Sequence, residues 1–286
     1  SKAKIPVPPG FTIATTACMD YYKNGRKTAK SLDVEQKKYL GQLEKSTGKR
    51  LGDPAAPLLV SVRSGAKVSM PGMMDTILNL GLNDATVEAL AAKTKNPRFA
   101  FDCYRRFIMM FSDVVFDVSK QEYEQLLHKK KEQRKVHSDT ELTAADLKDL
   151  AAQFKAHFKS RAGREFPQDT WEQLCLARDA VFKSWQNPRA CSYRKMNKIP
   201  DEMGTAVNVQ SMVFGNSGDR SGTGVGFTRD PSTGENVFYG EFLINAQGED
   251  VVAGVRTPLP IAKLQEALPK VYTQLHTITK DLETHY

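Results

Sequence analysis

The spacing of hydrophobic residues changes repeatedly along this 286-residue chain, and these changes limit the folds available to it. Residues 1 to about 80 contain short apolar runs separated by Gly and Pro, which is typical of strands. From about 83 to 195 the apolar residues recur every three or four positions, as in amphipathic helices. Strand-like runs return from about 203, and the last stretch, from 258, is helical again. This order predicts an α+β fold with an inserted or appended helical subdomain.

Four stretches give the clearest strand predictions. GFTIATT lies near the start, and PLLVSVR ends at Arg63. TAVNVQSMVF alternates apolar and polar residues, and VFYGEFLIN is rich in β-forming residues.

Local signals also predict where helices begin and end. Asn83 is predicted to cap one helix, and Asn96 precedes a proline suited to a first helical turn. Ser119 and Glu122 have the spacing of a capping box. The aromatic stripes of these helices are predicted to be core. Pro269 interrupts the last apolar pattern and predicts two helices there.

Composition restricts the partners and the compartment. The chain is 40% hydrophobic and 26% charged, and it contains no apolar run long enough to predict a membrane span. Its net charge of +8 admits nucleic acid or an anionic ligand. Much of the excess lies in HKKKEQRKVH, residues 128 to 137, which favours a solvated helix end over a nucleic-acid patch. Four cysteines without CxxC spacing predict free thiols in a reducing intracellular compartment, either cytoplasm or organelle.

Arg63 and the segment after it form the first candidate site. A guanidinium group is costly to bury without an anion, and the three small residues that follow Arg63 leave room for one. Segment 68 to 75 is apolar but broken by Pro71-Gly72, which predicts a methionine-lined lid over a ligand. We expect Arg63 to face the same cleft as residues 215 to 226. The alternative is that Arg63 pairs with a buried carboxylate.

Two later segments are further candidates. Five glycines fall within residues 215 to 226, where backbone N–H groups can approach a phosphate closely. Their spacing matches neither a Walker A sequence nor a Rossmann fingerprint, and an ordinary hairpin loop explains them equally well. In INAQGEDVVAG, residues 244 to 254, Glu249 and Asp250 follow a β-rich run, where a carboxylate can accept hydrogen bonds from ribose. A polar turn is the alternative.

Longer blocks of the sequence resemble one enzyme family, pyruvate, phosphate dikinase. The blocks occur in family order from about residue 4 to 260. They are IPVPPGFTI, LLVSVRSGAKVSMPGMMDTILNLGLND, NPRFAFDCYRRFI, MGTAVNVQSMVFGN, SGTGVGFTRDPSTGE and GEFLINAQGEDVVAGVRTP. Phosphoenolpyruvate synthase and the glucan water dikinases fit less well.

The resemblance implies an ATP-grasp-like nucleotide-binding domain with a helical subdomain inserted between two mixed α/β subdomains. Residues 1–82 and 196–212 are assigned to the first ATP-grasp-like subdomain and residues 83–195 to the helical one. Residues 213–286 are assigned to the second, which is expected to be incomplete at its C-terminal end.

The resemblance also implies an activity. The complete enzyme is expected to interconvert ATP, phosphate and pyruvate with AMP, pyrophosphate and phosphoenolpyruvate through a phosphohistidine. Mg²⁺ and a monovalent cation, K⁺ or NH₄⁺, are the implied cofactors, with ATP as substrate. The implied partners are ATP or AMP, phosphate, a central phosphohistidine domain, a pyruvate and phosphoenolpyruvate barrel, and a second copy in a homodimer. Neither a membrane nor a nucleic acid is expected.

The same resemblance assigns site residues. It implies phosphate contacts for Arg63, Gly72 and Gly224 and nucleotide contacts for Gln210 and Glu249. It assigns no catalytic residue and no metal ligand, because none of the five histidines lies in a phosphohistidine context.

Two family features have no counterpart in this sequence. The family has a phosphate-binding lysine before the segment that matches IPVPPGF and an acidic pair beyond the position of Tyr286. The chain is therefore expected to be a truncated nucleotide-binding domain that is inactive alone, whether it is engineered, proteolytic or a natural short paralogue. The alternative is a non-catalytic interaction or scaffold module that reuses the fold.

Overall fold

A computed structural model describes residues 5–252 and 256–285. The chain divides into two compact units, Pro8–Met212 and a smaller one made of Ser1–Val7 and Val213–Tyr286. Both combine helices with small sheets, as the sequence predicted. The three-part assignment of residues stays a prediction.

Some residues used in the sequence analysis lie outside the described part of the chain. They are the residues at both termini and the end of the segment that contains Glu249, namely 1–4, 286 and 253–255.

The larger unit contains six strands. Strands β1 to β6 are Gly10–Ile13, Arg50–Leu51, Pro57–Leu58, Val60–Gly65, Thr76–Leu80 and Ala206–Ser211. Four of them form an antiparallel sheet in the order β1-β6-β4-β5, and β2 pairs with β3 in parallel. The strands predicted from GFTIATT, PLLVSVR and TAVNVQSMVF are therefore confirmed. The prediction of strands throughout residues 1 to about 80 is wrong for residues 15–23 and 30–47, which are helical. In the second helix Gln36, Leu40 and Leu43 form a buried face at helical spacing.

Eight α-helices lie within the described residues of the larger unit. Helices α1 to α8 are Thr15–Lys23, Lys30–Thr47, Asp84–Thr94, Pro97–Phe116, Lys120–Arg134, Ala144–Ala162, Thr170–Ser184 and Pro188–Met196. The basic residues 128 to 137 lie at the C-terminal end of α5 and just after it, as expected for a helix end. None of the helices in the described ranges is long and apolar enough to cross a bilayer.

Two of the three predicted caps are confirmed. The Asn83 side chain accepts hydrogen bonds from the backbone N–H groups of Ala85 and Thr86, so that it closes the N-terminus of α3. The Asn96 side chain accepts from Phe99, and Pro97 is the first residue of α4.

The capping box predicted for Ser119 and Glu122 is wrong. Ser119 stands at the N-cap position of α5, but its side chain makes no capping hydrogen bond. The Glu122 carboxylate turns instead to α6, where it accepts hydrogen bonds from Arg161 at 2.7 Å and bonds His157 at 2.6 Å. Two partners on a neighbouring helix thus replace the local backbone partner.

The core of the helical part is aromatic. Phe107 and Phe111 on α4 and Phe158 on α6 lie around Phe166, with ring centroids 5.4 to 5.7 Å from it. All four rings are buried. Most of the contacts are edge-to-face, the arrangement that the charge distribution of aromatic rings favours. The prediction that the aromatic stripes are core is confirmed.

The smaller unit is a short antiparallel sheet packed against helices. Strands β7 to β9 are Gly222–Phe227, Tyr239–Ile244 and Leu259–Pro260, and helices α9 to α11 are Gly248–Val252, Leu264–Ala267 and Pro269–His285. Phe242, Ile261 and Leu264 form its buried cluster. The predicted break at Pro269 is confirmed, because α10 ends at Ala267 and α11 begins at the proline.

Candidate functional site

The four-stranded sheet has one apolar face and one polar face. Val207 and Val209 of β6 and Val62 of β4 are fully buried on the apolar side, where α7 contacts the sheet. Asn208 and Gln210 alternate with these valines along β6 and are partly exposed. Because successive side chains of a strand point to opposite faces, the polar residues share the other face of the sheet.

Arg63 lies on this polar face. It belongs to β4, next to Asn208 of β6 on one side and Thr76 of β5 on the other. Its side chain is exposed, and among the described residues no carboxylate pairs with it. The alternative of a buried Arg63 carboxylate pair is therefore wrong, since strand alternation turns this side chain away from the core.

The segment predicted as a lid begins with a tight turn. The Met73 N–H donates to the Met70 carbonyl at 3.2 Å, and Gly72 has φ +71°. A positive φ at the third position, after a proline at the second, is typical of a type II turn, and glycine adopts this conformation without strain. Gly72 is exposed, whereas Met70 is buried.

The far end of the same segment is anchored. Arg189 of α8 donates to the Met73 carbonyl at 3.1 Å and also pairs with Asp75. Asn187 donates to Asp75 at 3.0 Å. The exposed turn around Gly72 is thus held at one end by the α7–α8 corner, and its closure over a ligand stays a prediction.

Gln210 lies on the polar face of the same sheet as Arg63. Gln210 is paired with Ser61, two residues before Arg63 along β4. Its Nε2 donates to the Pro8 carbonyl at 2.9 Å, which fixes the amide beside the start of β1. The structure thus brings Arg63 and Gln210 onto one surface.

Asn208 and Thr12 complete a polar row that the sequence analysis did not single out. Thr12 of β1, Asn208, Arg63 and Thr76 are successive cross-strand neighbours. The Thr12 hydroxyl donates to Asn208 Oδ1 at 2.6 Å. The alternation of TAVNVQ predicts that Asn208 and Gln210 lie on the same face of a strand, but the sequence did not indicate which strands flank this one.

The glycine-rich segment of the smaller unit is only partly a loop. Residues 222 to 227 form β7, paired with β8, so the expectation of a single loop over residues 215 to 226 is wrong. The remaining turn is held by the Ser221 hydroxyl, which donates to the carbonyl oxygens of Gly215 and Gly218. Strand pairing supplies protein partners for backbone groups that would be hydrogen-bonded to water in an exposed loop.

Gly224 lies inside β7 rather than in the turn. A Cβ at this position would be 2.6 Å from the Glu241 carbonyl oxygen and 3.1 Å from the Phe242 side chain. The close approach of β8 is therefore a sufficient reason for glycine here. Its contact with phosphate stays a prediction.

Gly224 also borders a cavity of about 460 Å³ between β7 and α11. Its walls are largely apolar and include Phe242, Leu275 and Ile278. An apolar wall offers no partner for a phosphate, so this cavity does not explain the phosphate role that the resemblance assigns to Gly224.

Glu249 lies in the first turn of α9, where a negative charge is favourable. The neighbouring Asp250 is buried, and its carboxylate accepts from the Gln247 N–H at 2.9 Å. Gln247 in turn donates to Asn216 at 3.2 Å. Asp250 is thus a structural cap, and the polar turn expected here is the start of a helix. Glu249 is half-buried, and its ribose contact stays a prediction.

Within the described ranges, no group of three or more His, Cys, Asp or Glu side chains is placed to hold a metal ion. The four cysteines are free thiols, and Cys18 and Cys103 are buried.

Comparison with known proteins relates these features to an enzyme family. The family described as pyruvate phosphate dikinase, AMP/ATP-binding domain, matches residues 27–285. The chain is 57% identical over 283 residues to pyruvate, phosphate dikinase of Clostridium symbiosum, covering 99% of this chain and 32% of that protein. It is 54% identical over 282 residues to pyruvate, phosphate dikinase 1, chloroplastic, of Oryza sativa subsp. japonica, covering 99% of this chain and 30% of that protein.

The chain thus spans about a third of the length of these relatives. Since the family match covers most of its residues, the chain belongs to the family of the pyruvate phosphate dikinase AMP/ATP-binding domain.

Proposed function

We propose that this chain binds ATP as the nucleotide-binding part of a pyruvate, phosphate dikinase. The complete enzyme interconverts ATP, phosphate and pyruvate with AMP, pyrophosphate and phosphoenolpyruvate through a phosphohistidine. The observation that carries the proposal is the exposed Arg63 on a polar sheet face, without a carboxylate partner among the described residues. Family membership adds the nucleotide as the ligand.

In this proposal Arg63 binds phosphate oxygens through its planar guanidinium group, which stays charged at any working pH. Gly72 and Gly224 let backbone N–H groups approach the phosphates, and Gln210 and Glu249 contact the nucleoside. The fold is ATP-grasp-like, with a helical subdomain at 83–195 between the two nucleotide-binding subdomains. Closure of residues 68–75 excludes water and strengthens the charge interactions.

Mg²⁺ and a monovalent cation, K⁺ or NH₄⁺, belong to the proposed reaction as cofactors. The described residues contain no group of three or more His, Cys, Asp or Glu side chains placed to hold a metal ion. We therefore assign no step on this chain to a metal. A phosphohistidine domain, a pyruvate and phosphoenolpyruvate barrel and a second copy are the proposed partners.

Substitution of Arg63 tests the proposal. A hydrogen bond to a charged group contributes about 1.5–3 kcal/mol, so Arg63→Ala should weaken ATP binding by about 10- to 100-fold. Arg63→Lys should restore only part of this, because an ammonium group cannot form the planar fork. Arg50→Ala is the matched control, since Arg50 is exposed on β2 outside the four-stranded sheet.

ATP affinity and thermal unfolding are measured on the same purified variants, and single-turnover transfer to histidine is measured in the complete enzyme. Unfolding temperatures should stay close to that of the unsubstituted chain, whereas ATP affinity and transfer fall in the Arg63 variants. If the loss follows the folded fraction, Arg63 has a structural role. A folded chain that does not bind ATP overturns the proposal and favours a scaffold module.

A further inference from the structure

We propose that the Asn208 side-chain amide binds the same phosphate group as Arg63, and that Thr12 is the residue that orients this amide. The inference rests on the proposed function for the identity of the ligand. Its own basis is the polar row on the four-stranded sheet.

The strand register places the amide next to the guanidinium group. Asn208 pairs with Arg63 across β6 and β4, and with Thr12 across β6 and β1. Directly opposed residues of antiparallel strands have Cβ atoms about 4.5–5.5 Å apart and share a face. An anion above Arg63 is therefore within reach of a side chain at Asn208.

The hydrogen bond from Thr12 sets the direction of the amide. The Thr12 hydroxyl donates to Asn208 Oδ1 at 2.6 Å, which fixes the oxygen on the β1 side. The amide nitrogen then lies on the β4 side, where it is 3.1 Å from the position that a Cβ on Gly65 would occupy. Gly65 follows Arg63 by two residues and lies on the same face, so the nitrogen leans over the strand that carries Arg63.

The nitrogen is also available to a ligand. Among the described residues, no acceptor takes a hydrogen bond from Asn208 Nδ2, and the side chain is partly exposed. The amide has two N–H donors, and Arg63 next to it has up to five. The N–H donors of these two side chains are close together and have no acceptor among the described residues. An anion with several oxygens, such as a phosphate, can accept hydrogen bonds from both.

The binding experiment compares three substitutions in the folded chain. Asn208→Ala should weaken ATP binding by about 10-fold or more, because one hydrogen bond to a charged group is lost. Asn208→Asp should weaken it further, since a carboxylate would compete with the phosphate for Arg63. Asn24→Asp makes the same change of charge at the exposed C-cap of α1 and should leave ATP affinity unchanged.

Side-chain NMR signals test the contact itself. In ¹⁵N-labelled chain, the Asn208 NH₂ signals, assigned by their absence from the Asn208→Ala spectrum, should shift on addition of pyrophosphate. Arg63→Ala should abolish the shift. Thr12→Val should change the signals of the free amide and reduce the shift, and Thr12→Ser, which keeps the hydroxyl, should restore both.

The outcomes separate the two proposals. If ATP binds and depends on Arg63 while the Asn208 signals stay fixed, the proposed function stands and the inference is wrong. If ATP does not bind but pyrophosphate shifts the signals through Arg63, the nucleotide proposal fails and the shared anion site stands. If neither ligand binds, both are overturned.

Discussion

At the scale of single residues, Gly224 has a packing role in the β7–β8 hairpin and a proposed role in phosphate binding. A Cβ added at Gly224 would lie 2.6 Å from the Glu241 carbonyl oxygen, so even a methyl group would force β7 away from β8. A phosphate role and a packing role both require glycine here. The packing role predicts that replacing the glycine destabilises the hairpin, whereas the phosphate role predicts weaker ligand binding in an intact hairpin.

We expect Gly224→Ala to destabilise the β7–β8 hairpin by about 1–3 kcal/mol, the usual cost of overpacking. Hydrogen exchange of the β8 amides measures this, and the exchange should become faster. Gly41→Ala is the control, because Gly41 is exposed in the middle of α2 with nothing within 4 Å of an added Cβ. That change should stabilise the chain by about 0.5–1 kcal/mol. A variant with normal β8 exchange and weakened ATP binding would instead support direct phosphate contact.

At the scale of elements, a buried ion-pair network connects α4 to the segment that follows α5. Asp102 on α4 pairs with Arg105 at 2.7 Å and with Arg106 at 3.1 Å, and Arg105 also pairs with Asp139 at 2.5 Å. Burial pushes the pKa of Asp139 upward, but the two guanidinium groups outweigh burial and hold its pKa below the usual range. The contribution of this network to the free energy of unfolding therefore depends on pH.

Asp139→Asn should lower the free energy of unfolding at pH 7 by about 3–5 kcal/mol, because it leaves buried guanidinium charge without its partner. The lowered folded pKa means that the Asp139 contribution is fully present above the unfolded pKa of about 3.9 and is lost as pH falls through the folded value. Urea unfolding of both proteins from pH 7 to pH 3 should show a difference that shrinks below about pH 4.

The control for this prediction is Asp117→Asn. Asp117 pairs with Lys183 at the surface, and the two side chains are 76% and 44% exposed. Exposed ion pairs contribute little, so the free energy of unfolding should change by less than about 1 kcal/mol. A similar loss in both variants, or a difference as large at pH 3 as at pH 7, would contradict the role assigned to the network.

At the scale of the whole molecule, the two units differ in how much core each buries. The larger unit contains the aromatic cluster and both tryptophans, Trp171 and Trp185. The buried cluster of the smaller unit consists of three residues, and α11 has no buried residue within its described part. Small cores give marginal stability, so the smaller unit should unfold first.

Urea unfolding followed by two signals tests this expectation. Far-UV circular dichroism reports helices of both units, whereas tryptophan fluorescence reports only the larger one. Part of the dichroism should be lost at urea concentrations where the fluorescence is unchanged. Coincident transitions would mean that the chain unfolds as a single cooperative unit.

Much of the local structure could be predicted because its causes are local. Alternation in TAVNVQSMVF specifies a strand with one apolar side. Asn83 caps a helix by accepting hydrogen bonds from the backbone N–H groups two and three residues later. The Ser119 prediction was wrong for a different reason. Glu122 had the right spacing, but Arg161 and His157, more than thirty residues later, offered a charged partner that the backbone could not match.

The sequence by itself determined the helical middle of the chain, the strands with alternating or β-rich residues and the residue types suited to an anion, since these depend on neighbouring positions. It did not indicate α1 and α2. Only the tertiary structure decided that Thr12 and Asn208, 196 residues apart, lie beside Arg63. The same holds for Gly224, which became a strand residue because β8 pairs with it. Which strands lie side by side is decided by contacts between distant segments, and such contacts leave no periodic signal along the chain.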